Sequence, residues 1–188
     1  MSRIFMPAIY NINQTPAGSG MIGLGFDVHR LAEGESLVLG GITIDSIIGT
    51  VAHSDGDVIL HALVDALLGA LGLGDIGEHF PDTDPRWKGA ESSVFVTHAM
   101  HLLRAEGYAP INVDCTLVLQ SPKILDYKPA MRERIAELCG LPIQRVSVKA
   151  TTSEHLGYAG RKEGVHAWVV AQVEPIVGSV LRKEQDSA

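Results

Sequence analysis

The stretch from Asp57 to about Leu71 constrains this chain more than any other part of it. It is strongly apolar, and Val58, Ala62, Ala66 and Leu67 recur with a helical period. Ser54 or Asp55 stands where the N-cap of such a helix is expected. A helix of this character needs a core around it, and 188 residues can build one without disulfide or metal staples. Apolar residues make up 46% of the chain and charged residues 20%, a globular balance.

Around this helix the pattern alternates irregularly between strand and helix. Met21 to His29 alternates in places, and Ser36 to Leu39 and Ile42 to Ile44 flank Gly40-Gly41 as strands about a tight turn, which predicts a β-meander at the start. Glu91 to Glu106 reads as a second helix stopped by Gly107, and Lys128 to Cys139 as a third stopped by Gly140. Ile111 to Leu119, Arg145 to Ala150 and Val165 to Val173 read as strands. Strict βαβ alternation is absent. The expected fold is α+β: one mixed β-sheet with helices packed on one face, whose bare second face would be covered by self-association.

A single domain is expected over residues 21–175, between a flexible extension at 1–20 and a tail at 176–188. The extension has neither the charged start nor the apolar stretch of a secretory signal, and no apolar run approaches the length of a spanning helix. It carries a single Arg, which disfavours a plastid address, so a cytoplasmic, bacterial setting is expected. The net charge of -7 argues against nucleic acid or an anionic membrane as partner. Cys115 and Cys139 lack metal-ligand spacing and read as buried thiols.

Three residues point to a metal. Asp27 and His29, two apart at a strand end, leave the same face, and His61 lies mid-helix where a buried imidazole needs partners for both nitrogens. One carboxylate and two imidazoles suit tetrahedral zinc with an open fourth position. Asp57 and Asp65, one turn either side of His61, are placed to accept its second N–H. His53, just ahead of the helix, is expected at a phosphate near the helix N-terminus, and Ser54 and Asp55 act as caps on any reading. The long stretch Gly72 to Gly89, rich in Gly, Asp and Pro, is expected to be a binding loop. Thr151, Thr152, Ser153 and Glu154 end a strand with hydroxyls for phosphate and a carboxylate for Mg²⁺. His98, His101 and His166 have no converging carboxylate in sequence and read as surface or core residues.

Gly25-Phe26-Asp27-Val28-His29, the run Ala52 to Asp65, Gly74 to Asp84, Gln120-Ser121-Pro122-Lys123 and Ala150 to Glu163 together resemble the 2-C-methyl-D-erythritol 2,4-cyclodiphosphate synthase family, in order over nearly all of 21–173. The resemblance implies a homotrimer with active sites between subunits, working in the non-mevalonate route to isoprenoid precursors. It implies a phosphorus-oxygen lyase that cyclises 4-diphosphocytidyl-2-C-methyl-D-erythritol 2-phosphate and releases CMP. The implied metal ligands are Asp27, His29 and His61 for Zn²⁺, with Glu154 for a Mg²⁺ or Mn²⁺ on the substrate diphosphate. His53 and Thr152 would steady the transition state. Cytidine would rest against Leu119, Gln120, Ser121, Pro122, Lys123, Ile124 and Leu125 and near Thr151, Thr152 and Ser153. Asp75, Ile76, Gly77 and the loop of Phe80, Pro81, Asp82, Thr83 and Asp84 would hold the methylerythritol unit, with Ser54 beside His53. Tyr158 and Arg161 match positions lining the trimer axis, where an isoprenoid diphosphate is implied. Departures are small: Leu24 stands where a His is often seen, Ser153 where a Thr or Asn is common, and His155 and Tyr158 vary on family themes. The competing readings are a metal-dependent phosphohydrolase and a non-catalytic trimer that binds isoprenoid diphosphates.

Overall fold

A computed structural model describes residues 20–176, so the expected extension and tail lie almost entirely outside the described residues. Its centre is a five-stranded mixed sheet in the order β4-β1-β7-β5-β6, built from β1 (Met21–Glu33), β4 (Ile48–Val51), β5 (Tyr108–Val118), β6 (Val146–Thr151) and β7 (Gly164–Pro175). β5 and β6 run parallel and the other pairs antiparallel. The helices α1 (Val58–Ala70), α3 (Ser93–Ala105) and α4 (Lys128–Cys139) form one layer on this sheet, with α1 across β1 and β7, α3 against α1 and β5, and α4 on β6. Two short helices, α2 (Ile76–His79) and α5 (Gly157–Gly160), sit in connections.

The predicted meander does not form. β1 continues past His29 to Glu33, because Met21–Arg30 pairs along its length with Val173–Gly164 and Arg30–Glu33 with β4. The hairpin of β2 (Leu37–Leu39) and β3 (Ile42–Ile44) forms as expected but stands apart as a two-stranded sheet. Leu37, Leu39 and Ile44 bury it in the core, and Asp57 ties down its turn, its carboxylate accepting from the Gly40 and Gly41 amides at 2.9 and 2.5 Å.

In α1 every residue except Asp65 and Gly69 is buried. The cap is Asp57, not Ser54 or Asp55: its extended backbone starts the helix and its carboxylate accepts from the Ile59 and Leu60 amides. Leu60, Leu63 and Leu67 share one contiguous core with the inner side chains of β5 and β7, among them Val113, Leu117, Val165, Val169 and Val173. Cys115 and Cys139 are buried free thiols, and burial pushes the Cys139 thiol up to about 12. The opposite sheet face carries Ile22, Leu24, Phe26 and Val28 of β1 and Trp168 and Val170 of β7, all exposed.

Candidate metal centre and substrate clefts

The site begins with two glycines. Along β1 the inner face reads Gly23, Gly25, Asp27, His29, and any methyl placed on Gly23 or Gly25 would overlap the carbonyl oxygens of Ala66 and Ala62. α1 therefore lies directly on the strand, and His61, next to Ala62, comes down beside Asp27 and His29. Asp27 Oδ2 is 3.0 Å from both His29 Nε2 and His61 Nδ1, and these two nitrogens are 3.0 Å from each other.

Protons satisfy this trio poorly. With both nitrogens protonated, two N–H groups crowd each other, and with either bare, a lone pair faces a carboxylate. A divalent cation satisfies all three donors together, and the set is the one catalytic zinc takes. These three are also the residues that cluster with metal-ligand spacing among the described residues. Burial works against the Asp27 charge, but hydrogen bonds and charge from His29 and His61 more than offset it and hold the carboxyl well below its ordinary range. Burial likewise disfavours the charged form of His61, yet the Asp27 hydrogen bond and charge push its pKa up.

The trio forms part of the wall of a cleft of about 510 Å³ that also holds His53, Ser54 and Asp82. Ile76, Gly77, Phe80 and Pro81 enter from the Gly72–Gly89 connection, so part of this stretch walls the cleft. It is fixed by Asp65, which accepts the Ile76 amide at 2.8 Å, and by an aromatic cluster in which Phe80 lies 4.5 Å from Phe95 and 5.1 Å from Trp87, centroid to centroid.

A family model described as the YgbB family matches residues 21–174. The chain belongs to the YgbB family. It is 57% identical over 150 residues to the 2-C-methyl-D-erythritol 2,4-cyclodiphosphate synthase of Ectopseudomonas mendocina, covering 80% of this chain and 96% of that one. To the enzyme of the same name from Symbiobacterium thermophilum it is 56% identical over 153 residues, covering 81% and 98%. A solved 2C-methyl-D-erythritol-2,4-cyclodiphosphate synthase in a CDP-bound form superimposes with a TM-score of 0.76 at 45% identity, covering 81% of this chain and 99% of that one. The bifunctional IspDF from Campylobacter jejuni gives 0.82 at 45% identity, covering 86% of this chain but 44% of that larger one.

A second cleft in this YgbB-family fold, about 200 Å³, is lined by Leu119, Gln120, Pro122, Lys123, Ile124 and Leu125 on one side and Thr151 and Thr152 on the other, with Lys128 at its edge. No residue lines both clefts. Thr152 Oγ1 donates to Glu154 Oε1 at 2.9 Å, so Glu154 stands with the second cleft and not with the trio. Several predicted residues have structural partners. Asp75 caps α2 through the Glu78 amide, Asp84 pairs with Arg86, Ser153 donates to the Leu156 carbonyl and Arg161 pairs with Glu163. Thr83 and Ser121 line neither cleft. The Tyr158 hydroxyl meets His166 Nδ1 at 2.7 Å on the exposed sheet face.

Two expectations are corrected. Asp57 and Asp65 do not accept the second N–H of His61, because each carboxylate is committed to backbone amides: Asp57 to those of the hairpin and its own helix, Asp65 to Ile76. The partner of His61 Nε2 is Ser92 Oγ at 2.8 Å, with Ser54 Oγ at 3.2 Å. Nor does the N-terminus of α1 present bare amides to a phosphate at His53, since the Asp57 carboxylate takes those of Ile59 and Leu60. Sequence reasoning missed Ser92, Phe95 and Trp87. Ser92 is 31 residues from His61, so no local period links them.

Proposed function

We propose that the protein cyclises 4-diphosphocytidyl-2-C-methyl-D-erythritol 2-phosphate to 2-C-methyl-D-erythritol 2,4-cyclodiphosphate with release of CMP. The observation that carries this reading is the convergence of Asp27, His29 and His61 on one point of a cleft of about 510 Å³, in a chain of this family. Zn²⁺ on these three donors would supply Lewis-acid polarisation of a phosphate oxygen, and a Mg²⁺ or Mn²⁺ at Glu154 would neutralise the diphosphate.

The nucleophile is the substrate's own 2-phosphate oxygen. It forms the new P–O bond to the β-phosphorus as the bond to CMP breaks, so no protein base is required and positioning dominates. His53 and Ser54 sit in the metal cleft as donors for phosphate oxygens. Phe80, Trp87 and Phe95 wall off water beneath the Pro81-Asp82 turn, where the polyol would lie. Lys123, Thr151 and Thr152 bring a cation and hydroxyls to the second cleft, whose apolar floor of Leu119, Ile124 and Leu125 suits a base ring.

The two clefts lie apart in one chain, and the sheet face with Leu24, Phe26 and Trp168 lies bare. Both facts support a homotrimer in which the cytidine cleft of one subunit meets the metal cleft of the next, with Tyr158 and Arg161 near an axial cavity suited to an isoprenoid diphosphate. Among the described residues no helix is long and apolar enough to cross a membrane, and we assign the enzyme to the bacterial cytoplasm.

The test is to incubate purified protein with the cytidine diphosphate substrate, Zn²⁺ and Mg²⁺, and follow products by phosphorus NMR. Cyclic diphosphate with CMP is expected. Inorganic phosphate would make the protein a phosphohydrolase, and ligand binding without turnover would leave a binding trimer.

A further inference from the structure

Ser92 is a serine at the N-cap of α3 that does not cap its helix: its side chain makes no bond to the helix amides. Capping is the role in which serine stabilises a helix most, and here the hydroxyl is turned elsewhere. It is fully buried. It donates to Asp55 Oδ1 in a short hydrogen bond, and on its other side lies His61 Nε2 at 2.8 Å.

A hydroxyl has a single proton. With that proton on the Asp55 carboxylate, Ser92 Oγ can only accept from the ring, so Nε2 carries the imidazole hydrogen. The neutral ring then has its lone pair on Nδ1, the atom 3.0 Å from Asp27 Oδ2 and from His29 Nε2. Asp55 is itself held. Its Oδ2 accepts the Ser92 amide at 2.9 Å, its Oδ1 accepts the Asp57 amide at 3.2 Å, and its own amide donates to the Ala90 carbonyl at 3.0 Å. Ser54 Oγ is a weaker second acceptor, farther from Nε2 and also taking the Gly56 amide.

We propose that Asp55 and Ser92 form a carboxylate–hydroxyl–imidazole relay that fixes the tautomer and orientation of His61 and so sets how tightly the Asp27–His29–His61 trio holds a divalent cation. Both are positioning residues, since neither touches the metal point or the substrate cleft. The inference rests on reading that trio as a metal site. A carboxylate behind the hydroxyl polarises it, makes the ring a more basic ligand and prevents it from turning. The completely buried hydroxyl leaves no surface for water to take its place.

The test measures zinc affinity by competition with a chromophoric chelator, without turnover. Ser92→Ala is expected to weaken zinc binding by about 10- to 100-fold, the usual effect of removing a partner behind a metal-binding histidine. Asp55→Asn should weaken it less, and the double variant should bind no worse than Ser92→Ala, because Asp55 acts through the hydroxyl. Unchanged affinity in Ser92→Ala, or losses that simply multiply in the double variant, would overturn the relay. Nitrogen-15 NMR of the zinc-loaded wild type gives a check that does not depend on how the variants fold: His61 must carry its proton on Nε2, and the opposite tautomer refutes the proposal. Weakened zinc binding in a protein that makes no cyclic diphosphate would keep the relay and remove the cyclase.

Discussion

Zinc should stabilise the fold, and by an amount that grows with pH. A ligand that binds only the native state at 100 times its dissociation constant contributes about 2.7 kcal/mol. For a chain of this size each kcal/mol moves Tm by about 2–4 °C, so a rise of about 5–11 °C is expected. The pH dependence follows from the two shifted groups. The folded pKa of His61 lies above its unfolded value of about 6.5, so in the metal-free protein its paired, protonated form contributes stability that is complete below that value and lost as pH rises through the folded pKa. Asp27 is depressed, and its contribution disappears only far into the acid range, so it is constant between pH 6 and 8. As pH rises through the folded pKa of His61 the metal-free protein loses the Asp27–His61 pair, and fewer protons compete with zinc for the ring. The zinc-induced shift should therefore be larger at pH 8 than at pH 6. Calorimetry of chelator-treated protein, with and without added zinc, reads both numbers, and His61→Ala should show no shift at either pH. A shift of equal size in His61→Ala, or one that shrinks as pH rises, would sink the assignment of these residues as the metal site.

Asp57→Ala removes the cap of α1, about 1 kcal/mol, and leaves the Gly40 and Gly41 amides without their acceptor at about 1–3 kcal/mol each. A loss of about 3–7 kcal/mol in urea unfolding is expected, and a loss under about 1 kcal/mol would mean that the hairpin does not depend on it. Gly25→Ala forces β1 and α1 apart at the Ala62 carbonyl and should cost about 2–3 kcal/mol while also weakening zinc binding; a stability loss with full zinc affinity would separate the strand–helix contact from the metal point. On the proposed trimer, Trp168→Glu on the exposed sheet face should yield monomers that still bind zinc, because all three candidate ligands come from one chain, but that no longer turn over substrate. Sedimentation beside the product assay reads both effects, and an active monomer would refute the shared site.

The three long helices α1, α3 and α4 were legible because each carries its own punctuation, while the single turns α2 and α5 are too short to show a period. Lys128–Cys139 ends at Gly140, whose left-handed φ of 66° is what a helix C-terminus asks of glycine. The metal trio was legible because Asp27 and His29 share a strand face and His61 is a polar ring in an apolar helix. The pairing of β1 was not, since Met21–Arg30 finds its partner in Gly164–Val173, far along the chain, and alternation does not say which strand lies alongside. β4 was missed for the same reason: four residues with a Gly and a Thr give no period, and their pairing with Arg30–Glu33 supplies the order. No local pattern marks the role of Gly23 and Gly25, whose bare Cα atoms let α1 sit on β1.

The deepest misreading is also the most informative. Asp57, His61 and Asp65 recur every fourth residue on one row of an otherwise apolar helix, and this spacing suggested that they serve one another. In the structure each reaches a different neighbour: Asp57 the hairpin turn, His61 the metal point, Asp65 the wall of the cleft at Ile76. The physical reason lies in supply. The backbone amides of buried Gly40 and half-buried Gly41 and Ile76 have no strand or helix partner to take them, and leaving such a group unpaired costs more than leaving a histidine to a serine. The carboxylates therefore go to the amides, and His61 takes the hydroxyl at Ser92. A polar stripe on a core helix thus serves as a set of anchors for the loops that surround it. Here that stripe holds the hairpin, the metal ligand and the cleft wall to a single rigid element, so that the spacing between cleft wall and metal point is set by the helix and not by the loops.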